Sequence, residues 1–179
     1  AVVPHRDEDN QYRKYTVVDP DQPILTLRKT ARVFVINPQG RIGMIHVLGQ
    51  DEFGLRDHLE SCGGGIEAGE SASQAAVREA REELGAVLTD WIELGWIEDE
   101  YHRLQRRNHS TFFVAHCEPV LHPRSLTARE RRMMAEPVWL CPEEVERRLN
   151  PENNQGIGLL IARRDFCAWQ EAVRRHQIP

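Results

Sequence analysis

The chain has 179 residues, 40% of them apolar and 28% charged, with a net charge of −5. That length supports one domain with its own core, and the composition is that of a water-soluble protein. The acidic balance argues against a general nucleic-acid binder, which needs a basic face, and no apolar run reaches the length of a membrane span.

Residues 1–23 are polar and carry Pro4, Pro20 and Pro23, so they read as an N-terminal arm, with a short strand expected at Tyr15–Val18. Residues 1–14 lack the apolar core of a secretion signal, and the expected compartment is the cytosol. A single domain is expected over residues 24–179. Within it Ala31–Ile36 is a compact apolar run of strand type, followed by the turn signal Asn37-Pro38-Gln39-Gly40 and a second strand at Ile42–Val47, together a hairpin.

The triplet Gly63-Gly64-Gly65 leads into a helix expected over Ala72 to Leu84. Ser71 and Gln74 have capping-box spacing, and Gly85 stands where a C-terminal cap glycine belongs. Ala76, Ala80 and Leu84 share its core face. Strands are expected at Trp91–Trp96, Thr111–Cys117 and Val138–Leu140, with the charged segment Glu98–His109 as a loop or hairpin end and Pro119–Thr127 as a loop. Pro142 opens a helix with Glu143 and Glu144 in its first turn and Arg147 and Arg148 in its last, which suits the helix dipole. A longer C-terminal helix shows an apolar stripe of Leu159, Ala162, Phe166, Trp169 and Val173, expected to pack on the domain's own core. Strands interleaved with helices after an initial hairpin predict a mixed sheet covered by helices. The four cysteines form no C-x-x-C pair, and reduced thiols are expected.

The chemistry concentrates on the first helix. Glu79, Glu82 and Glu83 stand at i, i+3 and i+4 on one face, in the C-terminal half where the dipole disfavours negative charge. Arg78 pairs with Glu82 at i+4, but the compensation is incomplete. Such a cluster invites a hard cation, and carboxylate oxygens suit magnesium, manganese or calcium. The glycines before it let the backbone approach a ligand closely. A solvated Glu/Arg face after a glycine turn explains the helix alone equally well.

The full spacing decides between them. Gly64, Glu70, Arg78, Glu79, Glu82, Glu83 and Gly85, with Ala80 and Ala86 at the bulky-aliphatic positions, fall in the register G-x5-E-x7-R-E-U-x-E-E-x-G-U. This segment resembles the Nudix box, and the likeness extends over Thr30 to Leu149. Cys62 departs from the proline that many members carry there. The resemblance implies an α/β/α sandwich with a mixed sheet and a diphosphate hydrolase that uses Mg2+ or Mn2+. It makes Glu82, Glu83 and the Gly64 carbonyl metal ligands, and Glu79 a ligand or base. Arg78 and Glu70 would hold the carboxylates, and a further carboxylate from outside the box is expected at Glu136, with Glu130, Glu100 and Glu118 behind it. The implied partner is a small nucleoside diphosphate linked to another moiety, and family habit adds a homodimer. The resemblance names no single substrate. Two other readings stay open: a non-hydrolytic regulator or diphosphate-ester isomerase on the same fold, and an interaction protein whose charged helix is only surface.

Overall fold

The computed structural model describes residues 5–6 and 12–17 as backbone and residues 23–179 in full, the His102 side chain excepted. Eight strands form one mixed sheet: β1 (His5–Arg6), β2 (Tyr12–Val17), β3 (Thr26–Ile36), β4 (Ile42–Asp51), β5 (Gly54–Gly65), β6 (Leu88–Tyr101), β7 (Arg106–Cys117) and β8 (Val138–Leu140). Their order is β1-β2-β6-β7-β3-β5-β4-β8. The pairs β2–β6 and β3–β7 are parallel and the others antiparallel. The arm strand expected at Tyr15–Val18 is part of β2, and Val18 lies outside the described residues.

Helices cover both faces, as the α/β/α expectation required. β3 alternates between them: Val33 and Val35 meet Ala76, Ala80 and Leu84 of the first helix, while Phe34 and Ile36 join Val145, Leu149 and Trp169 of the later helices. Trp169 meets Phe34 edge to face, with centroids 5.4 Å apart. The first helix, α1 (Ala72–Glu79), carries the expected capping box at Ser71 and Gln74. It then widens into a π-helical turn over Ala80–Leu84 that ends at Gly85, whose φ of 67° is left-handed and whose N–H donates to the Ala80 carbonyl.

Several expectations are sharpened or corrected. Of the two forms expected for Glu98–His109, it takes the hairpin end: β6 and β7 run through it and are joined by the short 3-10 turn His102–Leu104. Its charges are cross-strand partners, with Glu100 opposite Arg107 and Glu98 opposite His109. The glycine triplet is the end of a twelve-residue strand. Gly63 has a φ of 148°, and a Cβ there would lie 2.2 Å from the Ala31 carbonyl oxygen, so glycine is what lets β5 close on β3. A further short helix, α2 (Ala128–Met133), follows the 119–127 loop. α3 (Pro142–Leu149) has the expected charge pattern.

The buried face of α4 (Gly156–Arg174) is rotated from the expected stripe. Ala162 and Trp169 are buried but Val173 is 43% exposed, and Ile161, Asp165, Ala168 and Ala172 complete the face. An ion pair explains the error. Buried Asp165 accepts the Ser61 N–H at 2.6 Å and the Arg164 Nε at 2.8 Å, so a charged residue occupies a core position that an apolar pattern passes over.

The sheet also divides. β5 pairs with β4 over 54–61 and with β3 only over 62–65, while Thr26–Lys29 of β3 pair with β7 alone. In the opening lies a cavity of about 520 Å3 that reaches Gly64 and Glu83.

Candidate active site

Arg78 organises the site. Its Nε and Nη2 donate to the two Glu70 oxygens at 2.9 and 3.0 Å, its Nη1 to Glu79 at 2.7 Å and Glu82 at 3.2 Å, and its Nη2 also to the Gly65 carbonyl at 2.8 Å. One guanidinium thus ties the loop before α1 to two carboxylates of the helix. The Glu70 hydrogen bonds raise the Arg78 pKa, and Arg78 in turn lowers that of Glu70. Glu70 also closes its own loop by accepting the Glu67 N–H at 2.9 Å.

Glu79 and Glu83 are the buried members, 6% and 2% exposed. Burial raises the pKa of Glu79, and Glu82 and Glu130 add to it against the pull of Arg78. Burial pushes Glu83 up to about 8, with Glu79 and Glu60 contributing. Glu83 accepts the Gly63 N–H at 2.9 Å. It also faces buried Cys62, whose thiol is raised by burial and by Glu83. Gly64 packs directly on Glu79: a Cβ there would lie 2.4 Å from Glu79 Oε1.

The π-helical turn is fixed from outside the box. Arg124 Nε donates to the Glu83 carbonyl at 2.6 Å, the Ser125 N–H to the Glu82 carbonyl at 2.8 Å, and the His122 N–H to the Gly85 carbonyl at 2.8 Å. A Cβ on Gly85 would fall 1.8 Å from the His122 oxygen. Glycine is required there by the loop as well as by the cap.

Gly64, Glu70, Arg78, Glu79, Glu82 and Glu83 therefore come together, with Gly85 closing the turn. Glu136 does not join them. Its side chain is 92% exposed, 3.6 Å from Arg124, and it lines a separate crevice with Leu84 and His122. Glu130 faces the box instead, in a crevice with Arg78, Glu79 and Glu82, and it also borders the cavity. Glu100 is occupied by Arg107. Sequence reasoning missed Arg32, which hydrogen-bonds the Ser61 carbonyl at 2.8 Å and lies 3.9 Å from Glu60. The signal was present as a lone arginine inside the apolar run of β3.

Three of the four helix-and-loop carboxylates share one arginine, whereas Glu83 is met by the Gly63 N–H and the Cys62 thiol. Oxygen donors with surplus negative charge, two of them buried, fit a hard divalent cation in chemistry and in charge. Among the described residues no three His, Cys, Asp or Glu side chains converge into a finished ion cage, and Glu82 is turned to Arg78.

The family model of the NUDIX domain matches residues 26–161. Among solved structures, the fold is similar to a NUDIX hydrolase from Nitrosomonas europaea, with a TM-score of 0.58 at 17% identity over 79% of this chain and 88% of that one. A MutT protein from Methanosarcina mazei Go1 gives 0.61 at 13% identity over 88% and 98%. A MutT NUDIX hydrolase from Burkholderia pseudomallei gives 0.51 at 18% identity over 65% and 84%. No curated protein matches the chain. With the box residues assembled as described and the family model spanning most of the sequence, the chain belongs to the Nudix family.

Proposed function

We propose that the protein is a Nudix hydrolase that cleaves the diphosphate bond of a nucleoside diphosphate linked to another moiety, with Mg2+ or Mn2+ as cofactor. The observation that carries this reading is the pair of buried carboxylates, Glu79 and Glu83, gathered beside Gly64, with Arg78 shared among Glu70, Glu79 and Glu82 and not bonded to Glu83. Burying charge without full compensation costs stability, and such groups persist where a ligand repays the cost. The family to which the chain belongs, and the hydrolases that share its fold, support the same reading.

Glu79, Glu82, Glu83 and the Gly64 carbonyl would hold the cation, which supplies charge neutralisation on the diphosphate and polarises phosphorus. The chain's own contributions are positional. Arg78 fixes Glu79 against Glu82 and Glu70. Glu79 is the candidate to take the proton of the attacking water, since burial raises its proton affinity. The new bond joins that water oxygen to one phosphorus, and the bridging P–O bond breaks. Glu130 replaces Glu136 as the carboxylate proposed from outside the box, because it borders the same crevice. A homodimer belongs to this reading by family habit, and light scattering at micromolar concentration tests it.

The decisive experiment is a panel of ADP-ribose, NADH, diadenosine polyphosphates and nucleotide sugars, assayed with Mg2+, with Mn2+ and in excess EDTA. Hydrolysis of at least one member that vanishes in EDTA is expected. Undiminished hydrolysis in EDTA would overturn the metal assignment, and no hydrolysis of any member with either ion would overturn the enzyme assignment.

A further inference from the structure

The cavity beside the box is rich in arginine, and its arginines are not equivalent. Arg32 pairs with Glu60, Arg56 with Asp51, Arg129 with Glu52 and Arg164 with Asp165. The other two, Arg28 and Arg106, line the same cavity, and among the described residues neither side chain has a carboxylate partner or gives a hydrogen bond. Arg106 Nε is buried without an acceptor, and its guanidinium lies 5.7 Å from the centre of the Tyr101 ring.

Their placement follows from the strand register. β3 and β7 run parallel, with Thr26 beside Arg106 and Arg28 beside Asn108. Along the face that later carries Phe34 and Phe112, the first half of the two strands presents Thr26, Arg28 and Thr30 with Arg106, Asn108 and Ser110. A polar surface is thus laid down on the strand segments where the sheet divides. Arg28 reaches toward the box: a Cβ on Gly65 would lie 3.4 Å from its Nη2. Burial and the charge of Arg106 both lower the Arg28 pKa, while Glu79 raises it. Two like charges are therefore held in one cavity beside the carboxylate cluster.

The aromatic rings of the cavity are already engaged. Phe53 has Arg56 at 5.3 Å and Arg103 at 5.9 Å from its centre and Tyr101 against it edgewise, and Tyr101 has Arg106. Charge, and not base stacking, is what this part of the cavity offers a ligand.

We propose that Arg28 and Arg106 form a phosphoryl-binding subsite outside the box, which holds an anionic phosphate group of the substrate by paired guanidinium contacts and does so without metal. The substrate role rests on the hydrolase reading above, but the binding does not. A phosphoryl group could come from the scissile diphosphate or from a phosphate monoester on the linked moiety.

The test is calorimetry on the full chain in EDTA, with inorganic pyrophosphate standing for the first source and ribose 5-phosphate for the second. The parent is expected to bind at least one of them. Tighter binding of pyrophosphate assigns the subsite to the diphosphate, and tighter binding of ribose 5-phosphate assigns it to the monoester. Arg28→Gln and Arg106→Gln should each weaken that binding about tenfold or more, as loss of a charge-assisted hydrogen bond does, while melting like the parent. Glu83→Gln, which removes a box carboxylate, should bind the probe at least as tightly as the parent. A parent that binds neither probe, or folded arginine variants that bind like the parent, would overturn the proposal. A parent that binds pyrophosphate in EDTA yet hydrolyses nothing with metal would sink the hydrolase reading and leave the subsite standing.

Discussion

Glu60 and Glu83 line the same cavity, the first with a side chain 12% exposed and the second 2% exposed, yet their surroundings drive them in opposite directions. Burial works to raise both. At Glu60 it is outweighed by Arg32, with His58 and Arg164 behind it, and the carboxyl ends well below its ordinary range. At Glu83 burial wins over the Gly63 N–H and the charge of Arg32, and the group rises to about 8. The difference teaches that depth alone does not mark a functional carboxylate. Glu60 is met by cations of the protein itself, whereas at Glu83 burial outweighs what the protein supplies.

The sharpest way to break this contrast is Glu83→Gln. On the panel substrate that the parent hydrolyses, the loss should be several kcal/mol of barrier, about a hundredfold to ten-thousandfold in rate, with a higher metal requirement. In metal-free buffer at alkaline pH the variant should melt at or above the parent, because the parent must then carry a buried charge beside Glu79 and Glu60. Parent-like turnover would remove Glu83 from the site. Glu144→Gln, on α3, is the matched control.

Gly64→Ala probes the same cluster through shape. Gly64 does not have a left-handed φ, so the backbone accepts alanine, but the new methyl would displace the Glu79 carboxylate. A loss of about tenfold to a hundredfold is expected, with a melting temperature close to the parent's. An active variant would show that Glu79 need not lie against Gly64.

Glu60→Gln tests the other side and should act on stability. It leaves Arg32 without its carboxylate, at a cost of roughly 2 kcal/mol at neutral pH. A carboxyl whose folded pKa is depressed stabilises above its unfolded pKa and loses that contribution as pH falls. The parent's advantage over Glu60→Gln should therefore be present at pH 7 and shrink as pH drops below about 4. A gap that is constant from pH 7 to pH 3 would show that Glu60 is not held ionised by Arg32. The smallest effect belongs to Glu136→Gln, which removes an exposed charge near Arg124: within about 0.5 kcal/mol in stability and unchanged turnover. A large loss of turnover would restore Glu136 to the site in place of Glu130.

What could be read from the sequence follows the same division. The box helix, its capping box, its apolar face and its carboxylates were legible because they lie within one short, strongly periodic segment. Glu79 and Glu83 could be assigned to one face without knowing what packs on it. Strand β5 was not legible, because its glycine end gives no alternation and its pairing switches from β4 to β3 partway along. The Arg32–Glu60 pair and the Arg28–Arg106 pair each join two strands distant in the chain, and only the register of the sheet brings them together. The buried face of α4 was misread for a related reason: Asp165 is a core residue only because Ser61 and Arg164 are there to meet it.

The π-helical turn at Ala80–Leu84 adds a constraint of another kind. An α-helix advances about 100° per residue, so a wider turn works as a local phase shift in which Glu82 and Glu83 are set relative to Glu79 by residue count. Arg81, the second residue of the turn, is exposed and its side chain gives a long 3.5 Å contact to the Gly85 carbonyl, so its identity is open to change. Its presence is not, because deleting it would return the helix toward regular pitch and swing both carboxylates around the axis while every other box residue stayed in place. This stretch should therefore tolerate changes of letter at position 81 and reject changes of length.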